Sequence, residues 1–348
     1  MNELVSIVVP IYNMGSSIEN CVKSLQNQDY KNIEIILVDD GSTDDTFNRC
    51  LNIAQQDQRV IALHTDNQGS GPARNCGIEH SNGKYIYFPD ADDYLESNAI
   101  TRLVEAIKYD NCDLVVFGHK NIKSNGEISF LKKYEEKVFN ANDLRKSYSN
   151  SILIKSKWTI QGAPWNKFFD LDVIRRNNVR YPSLRRHQDE GFIARYMCYA
   201  TKVHFIEDVL YNYYVNDINQ VWKKFPLNYI DAVIGLHEVW KGTILLWNSS
   251  DDLTHDLVFK WYVCNVIKSF EIVFSPKHNL TKKQRMQQIT LFIDKSQLTE
   301  IYTPKSLGKY HLRVLNLAKA GKIKSIYRLV RFKIFLQKSN LIKLIKRK

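Results

Sequence analysis

Three carboxylates close a run that is otherwise apolar. Residues 85–93 read Tyr-Ile-Tyr-Phe-Pro-Asp-Ala-Asp-Asp, so Asp90, Asp92 and Asp93 stand at the end of a β-prone segment. Acids this close repel one another unless a cation or a proton neutralises them. Hard oxygen ligands at a strand end suit Mg²⁺ or Mn²⁺, whose shell is usually completed by a substrate's phosphates. The chemistry implied is that of an enzyme handling a metal-bound phosphorylated donor. A second acidic turn, Asp39-Asp40-Gly41-Ser42, follows another apolar run, and the polar stretch 65–71 contains Gly69 and Gly71, where backbone can pass close to a ligand. Arg74, just beyond, is positioned to reach a phosphate or the acidic cluster. Each feature alone also has a structural reading: an Asp-rich turn, a helix cap at Ser42 or Thr43, a salt bridge that holds a loop.

These groups need a scaffold that gathers strand ends. Residues 5–11, 33–38, 60–64, 85–88 and 114–117 are apolar and β-branched or aromatic, and predict strands. Between them, 18–28, 44–56, 72–80 and a segment running from Ser97 or Asn98 to Tyr109 predict helices. Such alternation with near-continuous apolar strands predicts an α/β fold: a mostly parallel sheet flanked by helices on both faces. Ligands bind beyond the carboxyl ends of such strands, so the two acidic turns converge on one crevice. Residues 121–220 are irregular and aromatic-rich, and from about 226 the pattern is mostly helical, with the longest runs at 229–247 and 253–274. The expected organisation is a domain over 1–220, made of halves 1–120 and 121–220, followed by a helical C-terminal region over 221–348.

Composition narrows the class. The chain has 348 residues, 44% apolar and 25% charged, which are globular values. No apolar stretch approaches bilayer length, and the N-terminus lacks the basic start of a signal peptide. The six cysteines are scattered without a CxxC, as expected in a reducing compartment, and the nine histidines form no zinc-ligand pattern. The net charge of +12 is carried by the tail: residues 301–348 hold 14 Lys or Arg and no acid, leaving 35 basic against 37 acidic residues elsewhere. That argues against a nucleic-acid surface across the body and for an appendage that meets an anionic surface. Within 322–336, Ile323, Ile326, Tyr327, Val330 and Ile334 recur at helical spacing, with Lys324, Arg328, Arg331 and Lys333 between them, and Leu-Ile-Lys-Leu-Ile-Lys-Arg-Lys follows. A basic amphipathic helix predicts binding to an anionic membrane surface, each cation adding about 1 kcal/mol. The alternative is a helix packed on the body with a solvated charged face.

Four constellations stand in order along the chain: Pro10-Ile11-Tyr12-Asn13; Val38-Asp39-Asp40-Gly41-Ser42-Thr43-Asp44; Asn67-Gln68-Gly69-Ser70-Gly71-Pro72-Ala73-Arg74-Asn75-Cys76-Gly77-Ile78; and Gly83-Lys84 leading to Asp93. Together they resemble the nucleotide-sugar-binding half of family 2 glycosyltransferases, which have the GT-A fold. The resemblance is close over 4–120 and looser to about 215. It implies that Tyr12 packs on a uracil ring, with Pro10 and Asn13 beside it at the strand end. It implies that Asp40 accepts from uracil N3–H with Asp39 adjacent, and that Asn67 and Arg74 belong to the donor site. The match of Asp90 and Asp92 to the family's DxD implies Asp92 as the first metal ligand and Asp90 as the second, the latter also reaching ribose or sugar hydroxyls; Asp93 is expected to cap the next segment. The family's base is the Asp of a Glu-Asp-x-x-Phe motif after Trp-x-Lys. Here Trp165-Asn166-Lys167 is followed by Gln188-Asp189-Glu190-Gly191-Phe192, so Asp189 falls on that position, Gln188 replaces the usual Glu, and Glu190 is the alternative base. Trp165 and Lys167 are expected to shape the acceptor floor, with plain core packing as the equal alternative for Trp165. The segment from Tyr211 to Asn216 resembles the family's Tyr-x-Tyr-x-x-Asn, read as a strand under the site without a catalytic role.

The expected protein is an inverting, Mn²⁺- or Mg²⁺-dependent glycosyltransferase. It moves a sugar from a UDP-sugar to a glycan or lipid-linked acceptor in cell-envelope polysaccharide, capsule or lipopolysaccharide synthesis. It works in the cytoplasm, peripheral on the inner face of the membrane. The alternatives are an inactive membrane-docked UDP-binding scaffold and a sugar nucleotidyltransferase. The latter carries a Gly-rich, Arg-containing loop after the first strand, where this chain has Pro-Ile-Tyr-Asn-Met-Gly.

Overall fold

Four apolar runs build one half of a central sheet. In a computed structural model describing residues 3–15, 17–146, 148–153, 157–160, 162–215 and 226–338, β1 (Val5–Ile11) is buried throughout and leads to α1 (Ser17–Gln26) and β2 (Ile33–Asp40). Next come α2 (Thr46–Gln56), β3 (Val60–Thr65), α3 (Ser70–His80) and β4 (Tyr85–Tyr87). Asn216, the boundary near 220 and the closing residues 341–348, all singled out in the sequence, lie outside the described residues.

β1 pairs in parallel with β2 and β4, and β2 with β3, so the ends of β1, β2 and β4 point the same way. This brings the two acidic turns to one edge, as the alternation predicts. α3 lies close on β1: a Cβ at Gly77 would come within 2.1 Å of Val8 Cγ1, so no larger residue fits without moving the helix. Gly41 has φ +69°, and a Cβ there would meet the Asn67 nitrogen at 2.8 Å, so the turn after β2 requires glycine on both counts.

Beyond β4 the sheet is mixed. β5 (Tyr94–Leu95), α4 (Ala99–Lys108), β6 (Leu114–Lys123), β7 (Ile128–Lys132), β8 (Lys137–Asn140) and α5 (Ala141–Arg145) precede β9 (Lys167–Asp170). Then follow α6 (Leu171–Arg176), α7 (Gln188–Tyr196) and β10 (Lys202–Val215). The strand order is β3-β2-β1-β4-β9-β6-β10-β5, with β7 on β6 and β8 on β10. β9 runs antiparallel between β4 and β6, and β10 is parallel to β6. The region that reads as irregular therefore completes the sheet.

The chain separates into two compact units, Met1–Asn219 with Gly242–Ser249, and Gln220–Lys241 with Ser250–Lys348. The helical part comprises α8 (Tyr229–Leu246), α9 (Asp252–Ile272), α10 (Lys282–Lys295), α11 (Lys309–Lys319) and α12 (Ile323–Lys338). In the second unit Val266, Ile267 and Phe270 of α9, Ile289 and Phe292 of α10, Val314 and Leu315 of α11, and Ile326 and Val330 of α12 share one core. This corrects the sequence reading of α12. Ile326, Tyr327 and Val330 are buried, with Ile323 and Ile334 packed against them, because three neighbouring helices cover that stripe. Lys324, Arg328 and Arg331 stay exposed, whereas that apolar stripe is not free to lie on a membrane. Among the described residues no helix is long and apolar enough to cross one. All six cysteines are free.

Candidate active site

The guanidinium of Arg74, on α3, joins two acids that lie far apart in sequence. Its Nη2 donates to Asp90 Oδ1 at 2.6 Å and its Nη1 to Asp189 Oδ1 at 2.9 Å. Arg74 is 3% exposed, whereas Asp90 and Asp189 keep 32% and 28% of their side-chain surface. A buried cation between two partly open carboxylates fixes the spacing of the acidic turn from the first turn of α7. Asn75 extends the anchor: it exchanges hydrogen bonds with the Tyr181 main chain at 2.9 and 3.0 Å, tying the segment before α7 onto α3. Burial pushes the Asp189 carboxyl up to about 6; Arg74 pulls it down, Asp90 and Glu190 raise it, and Lys167 lowers it.

Glu190, the other candidate base, faces elsewhere. Its Oε2 lies 2.6 Å from His187 Nδ1, and His187 caps α7 in a left-handed conformation. Gln188 Nε2 donates to Ser70 Oγ at 2.8 Å, joining the starts of α7 and α3.

Behind the acidic turn, Tyr211 acts as a clamp. Its hydroxyl donates to Asp93 Oδ2 at 2.6 Å and accepts from the Asp90 N–H at 3.1 Å. The Tyr214 N–H donates to Asp93 Oδ1 at 2.7 Å. Asp93 is thus an anchor of the turn rather than a helix cap. Burial pushes its carboxyl up to about 8; the bond from Tyr211 opposes this, while Asp92 and Asp90 add to it. Asp92, between them, is exposed.

At the ends of β1 and β2, Tyr12 is 43% exposed. Asn13 is spent on the neighbouring turn: its Oδ1 accepts from Thr43 N–H at 2.8 Å, and its own N–H donates to Ser42 Oγ at 2.9 Å. Pro10 is buried in β1 opposite Val38, which puts it in sheet packing rather than at an open surface. Asp40 is nearly buried and accepts from the Gln68 and Gly69 N–H groups at 2.8 and 2.7 Å, so it fastens the Gly-rich loop. Each oxygen retains a second lone pair. Asp39 is fully buried: Oδ2 accepts from Ser42 N–H and lies 2.7 Å from His64 Nδ1, while Oδ1 has no partner among the described residues. Asn67 receives Arg185 on both its side-chain and main-chain oxygens, at 2.6 and 2.9 Å.

One expectation for the acceptor floor changes. Lys167 is 1% exposed and donates to Ala163 O and Asn166 Oδ1, and burial pushes its ammonium down to about 7. It supports the wall from inside, because β9 turns its side chain inward. Trp165 is partly buried and stacks on Tyr211, centroids 4.6 Å apart and planes 9° apart.

The sequence alone does not point to Tyr181, Arg185, His64 or Tyr211 as site residues. Tyr181 is 2% exposed, its ring stacks on Phe192, and its hydroxyl has no partner among the described residues although it feels Arg74, Asp189 and Asp90. The only sequence signal near it was its place shortly before the Asp189 segment.

The donor set can be tested against a divalent cation. Among the described residues no group of three or more His, Cys, Asp or Glu could hold a metal. Asp92 is exposed, and Arg74 takes only one oxygen of Asp90. That set fits Mg²⁺ or Mn²⁺ held by one or two carboxylates with the remaining ligands from substrate phosphates and water, not an all-protein cage.

Comparison with known proteins identifies the family. Residues 6–161 match the profile of Glycosyl transferase family 2. The glycosyltransferase GlyG of Streptococcus pneumoniae serotype 4 is 34% identical over 219 residues, covering 61% of this chain and 71% of GlyG. S. aureus TarS 1–349 in complex with UDP-GlcNAc superposes with a TM-score of 0.64 at 17% identity, over 96% of this chain and 92% of that one. The mannosyltransferase PcManGT from Pyrobaculum calidifontis, in complex with GDP-Man and Mn²⁺, gives a TM-score of 0.52 at 14% identity, over 97% and 89%. The last two are likenesses of fold. With GlyG matched over more than two thirds of its length, the chain belongs to glycosyl transferase family 2, and it is a glycosyltransferase with the GT-A fold.

Proposed function

We propose that the protein transfers a sugar, with inversion, from a UDP-sugar to a glycan or lipid-linked acceptor in cell-envelope polysaccharide synthesis, such as capsule or lipopolysaccharide. The observation that carries this reading is the Arg74 bridge, which sets the Asp90 turn and Asp189 around one guanidinium. Tyr12, exposed at the end of β1, offers a flat face to the base. Asp92 and Asp90 would hold Mn²⁺ or Mg²⁺, which would supply positive charge to offset that on the departing diphosphate. Asp189 accepts the proton of the acceptor hydroxyl as that oxygen attacks the anomeric carbon from the face opposite UDP. The C1–O bond to UDP breaks as the new glycosidic bond forms. A carboxyl raised to about 6 is ionised at neutral pH yet more basic than an ordinary Asp, which suits this role. Asp189 is preferred over Glu190 because it shares Arg74 with the acidic turn, whereas Glu190 is paired with His187.

The relative GlyG and the fold of TarS, which was solved with UDP-GlcNAc, support a nucleotide-sugar donor. The acid-free basic C-terminus supports work at the inner, anionic face of the cell membrane, where a lipid-linked acceptor is carried. The test is release of UDP from a panel of UDP-sugars, with and without Mn²⁺, in the presence of acceptor extract. Asp92→Ala is expected to lose metal-dependent turnover. Asp189→Asn is expected to lose roughly 10²–10⁴-fold in kcat while still binding UDP. An active Asp189→Asn beside a dead Glu190→Gln would transfer the base to Glu190; UDP binding without turnover of any sugar would favour the inactive scaffold.

A further inference from the structure

α12 has two worked faces. The inward stripe of Ile323, Ile326, Tyr327, Val330 and Ile334 belongs to the core of the helical unit. A second, exposed face carries Lys324, Arg328 and Phe332, and beside them Arg331 and Phe335, so that each row runs along the helix in four-residue steps. With Lys282 and Met286 of α10 and the edge of Tyr327, these residues line an open cleft of about 430 Å³. Its wall contains four cations and no acid.

Two properties distinguish this face from an ordinary solvated one. Among the described residues none of its four cations makes an ion pair, whereas Lys333 of the same helix bonds Glu271 at 2.6 Å. Phe332 and Phe335 are 57% and 61% exposed on the same ridge as the arginines. Large exposed rings rimmed by charge mark an interaction surface. Arginines bind phosphate in a forked, bidentate way, and phenyl groups beside them enter the boundary between lipid headgroups and acyl chains. A pocket for a small soluble anion has no use for phenyl groups projecting beside it. The chain that follows α12 continues the same chemistry: 341–348 adds Lys343, Lys346, Arg347 and Lys348 among leucines and isoleucines, with no acid.

We propose that the cleft between α10 and α12 is a docking surface for an anionic phospholipid bilayer, with lipid phosphate on Lys282, Lys324, Arg328 and Arg331 and the rings of Phe332 and Phe335 in the headgroup layer. The proposal deepens the reading of a membrane-carried acceptor. Its test measures binding rather than turnover, so its failure leaves the transferase assignment standing.

The experiment is co-sedimentation of the full chain with vesicles of phosphatidylcholine alone or mixed with phosphatidylglycerol. The wild type is expected to sediment only with the mixed vesicles and to be released by high salt. Arg328→Glu with Arg331→Glu is expected to weaken binding by at least roughly tenfold. If that double variant melts early, Phe332→Ser with Phe335→Ser, at exposed positions, gives the same readout with expected loss of binding. A chain ending at residue 338 is expected to retain binding in part. The proposal is overturned if both double variants sediment as the wild type does, if the truncation alone removes all binding, or if inorganic phosphate at millimolar concentration displaces the protein from vesicles, which would mark a soluble-anion site.

Discussion

Arg74 and Arg328 are both helical arginines, and they do opposite work. Arg74 is 3% exposed and spends its guanidinium on Asp90 and Asp189. Arg328 stands on an exposed face beside other cations and two phenyl rings. The Arg74 guanidinium is shielded from water, so its contacts are strong and their geometry is fixed. On α12 each charge is screened and weak alone, and only the sum over several residues attracts an anionic surface. A single substitution should therefore break the first region, whereas the second must be altered at several positions.

The largest effect is expected at Arg74. Arg74→Leu leaves Asp90 and Asp189 facing each other without their shared cation. Removing one partner of a buried ion pair costs roughly 3–5 kcal/mol, and the solvent retained by both acids reduces this to about 2–4 kcal/mol. Urea unfolding measures the loss, and turnover should fall with it. Arg328→Leu, by contrast, should change stability by no more than about 0.5 kcal/mol. Equal stability of the two variants would erase the distinction between the regions.

A smaller effect is expected behind the acidic turn. Tyr211→Phe removes the donor to Asp93 and the acceptor of the Asp90 N–H, leaving buried polar groups unmet. That costs roughly 1–3 kcal/mol. Because the turn carries Asp92, the KM for Mn²⁺ should rise more than kcat falls. An unchanged metal dependence would show that the turn is held without the clamp.

What the sequence revealed follows the same division. The runs 5–11 and 33–38 were legible because seven- and eight-residue strands buried along their length read as near-continuous apolar segments. β5 and β9 span only two and four residues, too short for periodicity, and their place is set by pairing with β10, β4 and β6. Residue types at the site were visible, but their partners were not: Arg74 and Asp189 are 115 positions apart. Lys167 followed a motif that pointed to the acceptor floor, and only the strand's orientation reveals that it is buried. In α12 the periodic apolar signal marks the face that packs inward, and the cations Lys324, Arg328 and Arg331 are legible beside it. Phe332 and Phe335 fall outside that stripe, so the pattern does not single them out as exposed partners of those cations.

The finest distinction lies between neighbours, Asp189 and Glu190, and Gln188 gives access to it. A base must be ionised, so kcat/KM is retained above the Asp189 value and lost as pH falls through about 6. Gln188→Glu adds a negative charge beside Asp189, which raises its carboxyl further and moves the acid limb to higher pH. The ratio of activity at pH 6 to that at pH 8 should fall by roughly threefold, with the plateau preserved, for a change of under 1 kcal/mol. Glu190 responds to a different lever, because its partner is His187 at 2.6 Å. His187→Gln removes that contact and leaves Arg74 on Asp189, so it should move the limb little. If the pH profile shifts with His187→Gln and stays in place with Gln188→Glu, the proton goes to Glu190, and the Arg74 bridge serves only to hold the crevice together.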